Sequence, residues 1–194
     1  MQLFALLACV ISLIICPVNA ESQTWRIGDD QAFPTHVSTL PQTRRQSILA
    51  QIQPSLDKLV KEKWMDSDDA TRVKASLLMR EASTPSGQFL LVQSWGPELC
   101  GGVGNCHVWV LGEHDMLILE AAASELRILK SAHNGRPSIL MSLHDSAAER
   151  TLVWYRFDGA RYRTAACAYK TYGDLTGPYP HPRVEYVPCS EVLQ

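Results

Sequence analysis

His144-Asp145-Ser146 supplies in one run the residue types of a hydrolase triad: a hydroxyl to attack, an imidazole to take its proton, and a carboxylate to orient the imidazole. Side chains adjacent in sequence point different ways and cannot align for that relay, and no Gly-x-Ser-x-Gly turn presents a nucleophile elsewhere. A strand-to-turn junction accounts for the run more simply. Cysteine is the other candidate nucleophile. Cys100, Cys106, Cys167 and Cys189 remain once an export signal is removed, and an even number in an oxidising compartment predicts two disulfides, which removes the reactive thiolates. Of the three connectivities, Cys100 with Cys106 and Cys167 with Cys189 is favoured, because each closes a local loop rich in glycine or proline. The loop model assigns about 2 kcal/mol to the first and about 3 kcal/mol to the second.

The six histidines show no His-x-x-x-His or His-Glu-x-x-His spacing. Cys100, Cys106 and His107 are zinc-ligand types, but a disulfide competes for the same sulfurs. Asp66-Ser67-Asp68-Asp69 lacks the glycine and the distal acid of a calcium loop and reads as a solvated turn. Neither a metal nor a cofactor is expected. Glu98, Glu113, Glu120 and Glu149 read as loop and turn acids, with no spacing that marks a glycosidase pair. The formal charge of -2, from 18 basic and 20 acidic residues, is spread along the chain, which points to neither a nucleic acid nor an anionic membrane as partner.

Recognition is the chemistry that remains. Trp95-Gly96-Pro97-Glu98-Leu99 leads into Cys100-Gly-Gly-Val-Gly-Asn-Cys106, and His107 follows at once. Trp95, Glu98 and His107 are therefore the candidate ligand-binding residues, an aromatic, a carboxylate and an imidazole beside a clipped backbone that loses little entropy on binding. The competing reading packs Trp95 over the disulfide in the core.

The elements that must hold these residues follow from periodicity. Residues 1–20 read as a signal peptide, with an apolar run from Leu3 to Cys16, a small-x-small ending at Val18-Asn19-Ala20 and cleavage after Ala20. The run is short for a membrane span and Ile15 is unsuited to lipidation at Cys16, so no stable membrane anchor is expected after cleavage. Residues 21–194 then form a single domain, in which 21–39 is an irregular arm and 169–194 an extended, proline-rich tail tied by Cys189. After Thr39 and Pro41, the residues Ile48, Leu49, Ile52, Leu56, Leu59 and Val60 recur at helical spacing, and Pro54 predicts a kink or split with Ser55 as a new cap. Val73 to Arg80 alternates as a strand, Phe89 to Val92 reads as an interior strand, and later strands flank Gly112 to Asp115, Asn134-Gly135 and Asp158-Gly159. The expected architecture is α+β, an antiparallel β-meander sheet with an N-terminal amphipathic helix packed on one face. Val108-Trp109 and Val153-Trp154 form a weak internal echo, read as two similar hairpins.

The run from Cys100 to Val110, with Leu143-His-Asp-Ser-Ala147 and Trp154 to Tyr162, resembles small exported bacterial proteins of uncharacterised function. The similarity spans Phe89 to Cys167 and implies a β-rich, secreted protein without implying an activity. A fainter similarity is to periplasmic lysozyme inhibitors that present a short disulfide loop between strands. In that family a histidine within the loop enters the target's active site, whereas His107 stands just outside the clip, which encloses Gly, Val and Asn. The sequence thus reads as an exported, disulfide-stabilised domain, periplasmic or secreted, that binds a protein or a cell-envelope component. A reading from another class is a secreted hydrolase whose site is assembled from residues distant in sequence.

Overall fold

The computed structural model describes residues 22–173 and 182–192; the expected signal peptide, and Pro178 and Pro180 of the tail, lie outside the described residues. In chain order the elements are β1 (Gln23–Arg26), β2 (Thr35–His36), α1 (Gln42–Lys61), α2 (Ser67–Ser76), β3 (Leu78–Thr84), β4 (Gly87–Gln93), β5 (Cys106–Leu111), β6 (Leu117–Ala123), β7 (Glu125–His133), β8 (Arg136–His144), β9 (Glu149–Phe157), β10 (Tyr162–Tyr172) and β11 (Pro182–Val187). The class is α+β, as the periodicity predicts. The strands divide into two antiparallel sheets where one was expected, a five-stranded sheet β2-β3-β4-β5-β6 and a six-stranded sheet β1-β7-β8-β9-β10-β11.

The division has a packing cause. β4 and β5 are buried along nearly their whole length, so both faces of their sheet need apolar cover. On one face Phe89, Leu91, Val108 and Val110 join Leu126, Ile139, Met141 and Val153 of the six-stranded sheet in one core. On the other, Leu90, Val92, Trp109 and Leu111 join Ile48, Ile52 and Leu56 of α1 and Val73 of α2 in a second core. The layers are therefore helices, five strands, six strands. The chain changes sheets at Ser124, whose amide donates to the Ser142 carbonyl at 2.8 Å and whose carbonyl accepts from Ile27 at 2.9 Å.

Three local expectations are corrected. The arm contributes two short strands instead of being irregular throughout, β1 paired to β7 and β2 to β3, with Trp25, Ile27, Phe33 and Val37 buried. α1 runs through Pro54 without a break, since Ile48 and Ile52 before it and Leu56 after it pack on the same sheet; Ser55 faces that sheet and caps nothing. Asp66 to Asp69 is a helix start: the Asp66 carboxylate accepts from the Asp69 amide at 2.7 Å and Asp69 returns the bond at 3.0 Å. That capping box makes Ser67–Ser76 helical, so the strand expected from Val73 begins at Leu78. The tail is extended where described and tied by Cys189: Tyr169 to Tyr172 belong to β10, and Pro182, with no amide hydrogen to offer a ladder, opens the edge strand β11.

Candidate functional site

The two disulfides are Cys100–Cys106 and Cys167–Cys189. The second ties the turn after β11 to β10, and the first clips the loop between β4 and β5. Within that clip the Gly101 amide donates to the Asn105 carbonyl and the Gly104 amide to the Gly101 carbonyl, both at 2.8 Å. Gly104 has φ +80°, a conformation that glycine adopts without steric cost. Asn105 fastens the loop to the other sheet: its amide nitrogen donates to the His144 carbonyl and its oxygen accepts from the His144 amide, each at 2.8 Å. This amide-to-backbone clamp is absent from the sequence reading, and an Asn inside a glycine-rich clip is the signal that would have suggested it.

Below the clip the packing is tight. Gly28, with φ +81°, brings its backbone against Cys106 so closely that a Cβ there would stand 3.0 Å from Sγ. Its amide donates at 2.7 Å to the fully buried Gln93, whose own amide reaches the Asp29 carbonyl at 3.5 Å. The glycine loop, Trp95, and Arg26, Glu125, His144 and Arg150 of the six-stranded sheet enclose a groove of about 790 Å³. Trp95 is 43% exposed on its wall, so its indole is available to a ligand.

The other two candidate residues lie elsewhere. Glu98 accepts from Arg72 Nε of α2 at 3.1 Å, and its own backbone amide and Arg72 hold its carboxyl below the usual carboxylate range. His107 leans on Trp109, ring centroids 4.6 Å apart, and its Nε2 lies 2.9 Å from Glu120 Oε1. Trp95, Glu98 and His107 thus face three different neighbourhoods. The His107 contact uncovers a polar chain that sequence reading missed: Trp109 Nε1 donates to Ser55 Oγ at 3.1 Å, and Ser55 donates to the same Glu120 oxygen that meets His107. A hydrolytic triad places the imidazole between hydroxyl and carboxylate. Here the carboxylate stands between the other two, which suits a fastening of α1 to β5 and β6. Burial pushes the Glu120 carboxyl up, but the hydrogen bonds from His107 and Ser55, with the charges of His107 and Lys58, outweigh it and hold the group below its ordinary range.

His144, Asp145 and Ser146 diverge as their adjacency requires. His144 Nδ1 lies 3.3 Å from the Val103 carbonyl, Asp145 accepts from Thr151 at 2.8 Å, and Ser146 Oγ accepts from the Ala148 amide at 3.2 Å. Among the described residues no helix is long and apolar enough to cross a membrane, and no group of three or more His, Cys, Asp or Glu converges as a metal site. No family model matches the chain, and neither a curated protein nor a solved structure matches it.

Proposed function

We propose that this chain is an exported binding domain whose contact site is the groove at the clipped loop, with a protein or another cell-envelope component as ligand. The observation that carries the reading is Trp95: a large ring left 43% exposed beside a loop clamped by the Cys100–Cys106 disulfide. A ring held beside such a loop offers contact area at little conformational cost, and Arg26 and Arg150 supply polar partners in the same groove. Export is supported by the apolar leader ending at Ala20 and by two disulfides that an oxidising compartment would maintain.

The test is a Trp95→Ala variant compared with wild type for thermal melting and for retention of a cross-linked envelope partner. Unchanged melting with loss of the partner is expected. Retention of the same partner by the variant rejects the groove. A secreted hydrolase is the second reading, favoured by Ser124, Glu125 and His144 lining the same groove. Against it, Ser124 Oγ donates to the Ser142 carbonyl at 2.9 Å and Glu125 is paired with Arg127 at 3.1 Å. Hydrolysis of a chromogenic ester that disappears in His144→Ala, with melting unchanged, would favour that reading over recognition.

A further inference from the structure

Val108-Trp109 and Val153-Trp154 occupy comparable positions in the two sheets, and both valines are buried between them. The tryptophans point the opposite way, where the resemblance ends. Trp109 is buried under α1. Trp154 has no helix over it among the described residues and stands beside Tyr186 of β11, ring centroids 5.7 Å apart, with Tyr186 71% exposed. With Leu129, Ser131, Ser138 and Arg156, the two rings wall a cup of about 240 Å³.

Strand register places on the face that carries this cup several cations that are scattered in the sequence. Leu126, Met141, Val153 and Tyr155 face the core, so their neighbours along each strand face outward with Trp154. Residues on that outward side include Arg127 opposite Leu140, Arg150 opposite Lys170, and Arg156 opposite Arg163, with Arg26 opposite Glu125 at the far edge, where Arg26, Glu125 and Arg150 also line the groove beside the clipped loop. Glu125 is the acid of this set and is paired with Arg127 at 3.1 Å. Arg163 is paired with Asp158 of the adjoining turn at 2.8 Å, whereas Arg26, Arg150, Arg156 and Lys170 have no carboxylate partner among the described residues. A chain of formal charge -2 therefore carries one strongly positive face.

We infer that this face binds an acidic glycan at the cup of Trp154 and Tyr186, which is distinct from the groove beside the clipped loop although the far edge of the face, at Arg26 and Arg150, borders that groove. The two rings offer apolar faces to the C–H face of a sugar, while Ser131, Ser138 and Arg156 meet its polar edge. Arg156 at the cup and the other guanidinium groups along the face suit the planar, two-pronged recognition of carboxylates or sulfates repeated along a chain. An acidic peptide or an anionic lipid surface would engage the cations and leave the aromatic cup idle, so the cup is the feature that selects a sugar.

Titration calorimetry of the disulfide-bonded protein against polygalacturonate tests the assignment, with heparin as a second acidic glycan and uncharged dextran, polyglutamate and phosphatidylglycerol vesicles as comparators. Binding to an acidic glycan, weakened by added salt and absent with dextran, is expected. Tyr186→Ala and Arg156→Ala, both at exposed positions, should each weaken it about tenfold without shifting the melting temperature, whereas Trp95→Ala should bind as wild type. Failure to bind either acidic glycan overturns the inference. Equal binding to polyglutamate or to the vesicles, or a Tyr186→Ala variant that binds unchanged, reduces the face to simple electrostatics and overturns it too. Loss of binding in Trp95→Ala assigns the glycan to the groove instead.

Discussion

The indole N–H of Trp109 donates to Ser55 Oγ at 3.1 Å within the buried interface between α1 and the five-stranded sheet. Ser55 follows Pro54, the residue at which the helix backbone has no amide hydrogen to contribute. The fastening therefore sits where the helix is least able to hold itself, and it continues through Glu120 to His107.

Ser55→Ala leaves the Trp109 N–H buried without an acceptor and removes a donor from Glu120. A loss of about 1–3 kcal/mol in urea unfolding is expected. An unchanged midpoint at unchanged slope would mean that the bond contributes nothing net.

The depressed Glu120 carboxyl makes stability depend on pH in a defined direction. Its folded value lies below the ordinary 4.5, so its contribution is complete above 4.5 and is lost as pH falls through the folded value. Glu120→Gln should lower stability near neutral pH and flatten the loss of stability over the interval below 4.5. Wild type and variant losing stability in parallel over that interval would remove Glu120 from the account.

Gly28→Ala forces a side chain into φ +81° with its Cβ 3.0 Å from Cys106 Sγ. The expected cost is about 1–3 kcal/mol by chemical denaturation. Gly102→Ala, where a new Cβ meets nothing within 4 Å, serves as the control and should unfold close to wild type.

Removing the disulfides as Cys-to-Ala pairs should cost about 2 kcal/mol for Cys100 with Cys106 and about 3 kcal/mol for Cys167 with Cys189, because the second closes the longer loop. Denaturation of the two double variants checks the order. A larger loss from the shorter loop would show that its anchoring of the groove outweighs chain entropy.

Some of this molecule is readable locally. Asn134-Gly135 forms its turn with φ +49° and +78°, because the dipeptide itself favours that backbone. Asp158-Gly159 marks a turn correctly but for another reason: the Asp158 carboxylate accepts from the Ala160 and Arg161 amides, at 2.8 and 2.9 Å, and only Gly159 of the pair has positive φ. The helix start at Asp66 was also present as Asp-x-x-Asp before Ala70 and Val73, but the alternation further on masked it. The groove and the polar chain were not legible. Gly28 meets Cys106, Asn105 meets His144 and Ser55 meets Glu120 across separations that no periodicity encodes.

By itself the sequence determined the class, the apolar run from Leu3 to Cys16 and most turns, and it favoured the pairing of neighbouring cysteines without deciding it, because each depends on interactions within a few residues or on which face of one element is apolar. Only the tertiary structure decided that the strands form two sheets, that one tryptophan is buried beneath a helix while its counterpart is left beside Tyr186, and that dispersed arginines share a face. Those outcomes depend on strand register and on which layer covers which, and register is settled by side chains that meet only after the chain has folded.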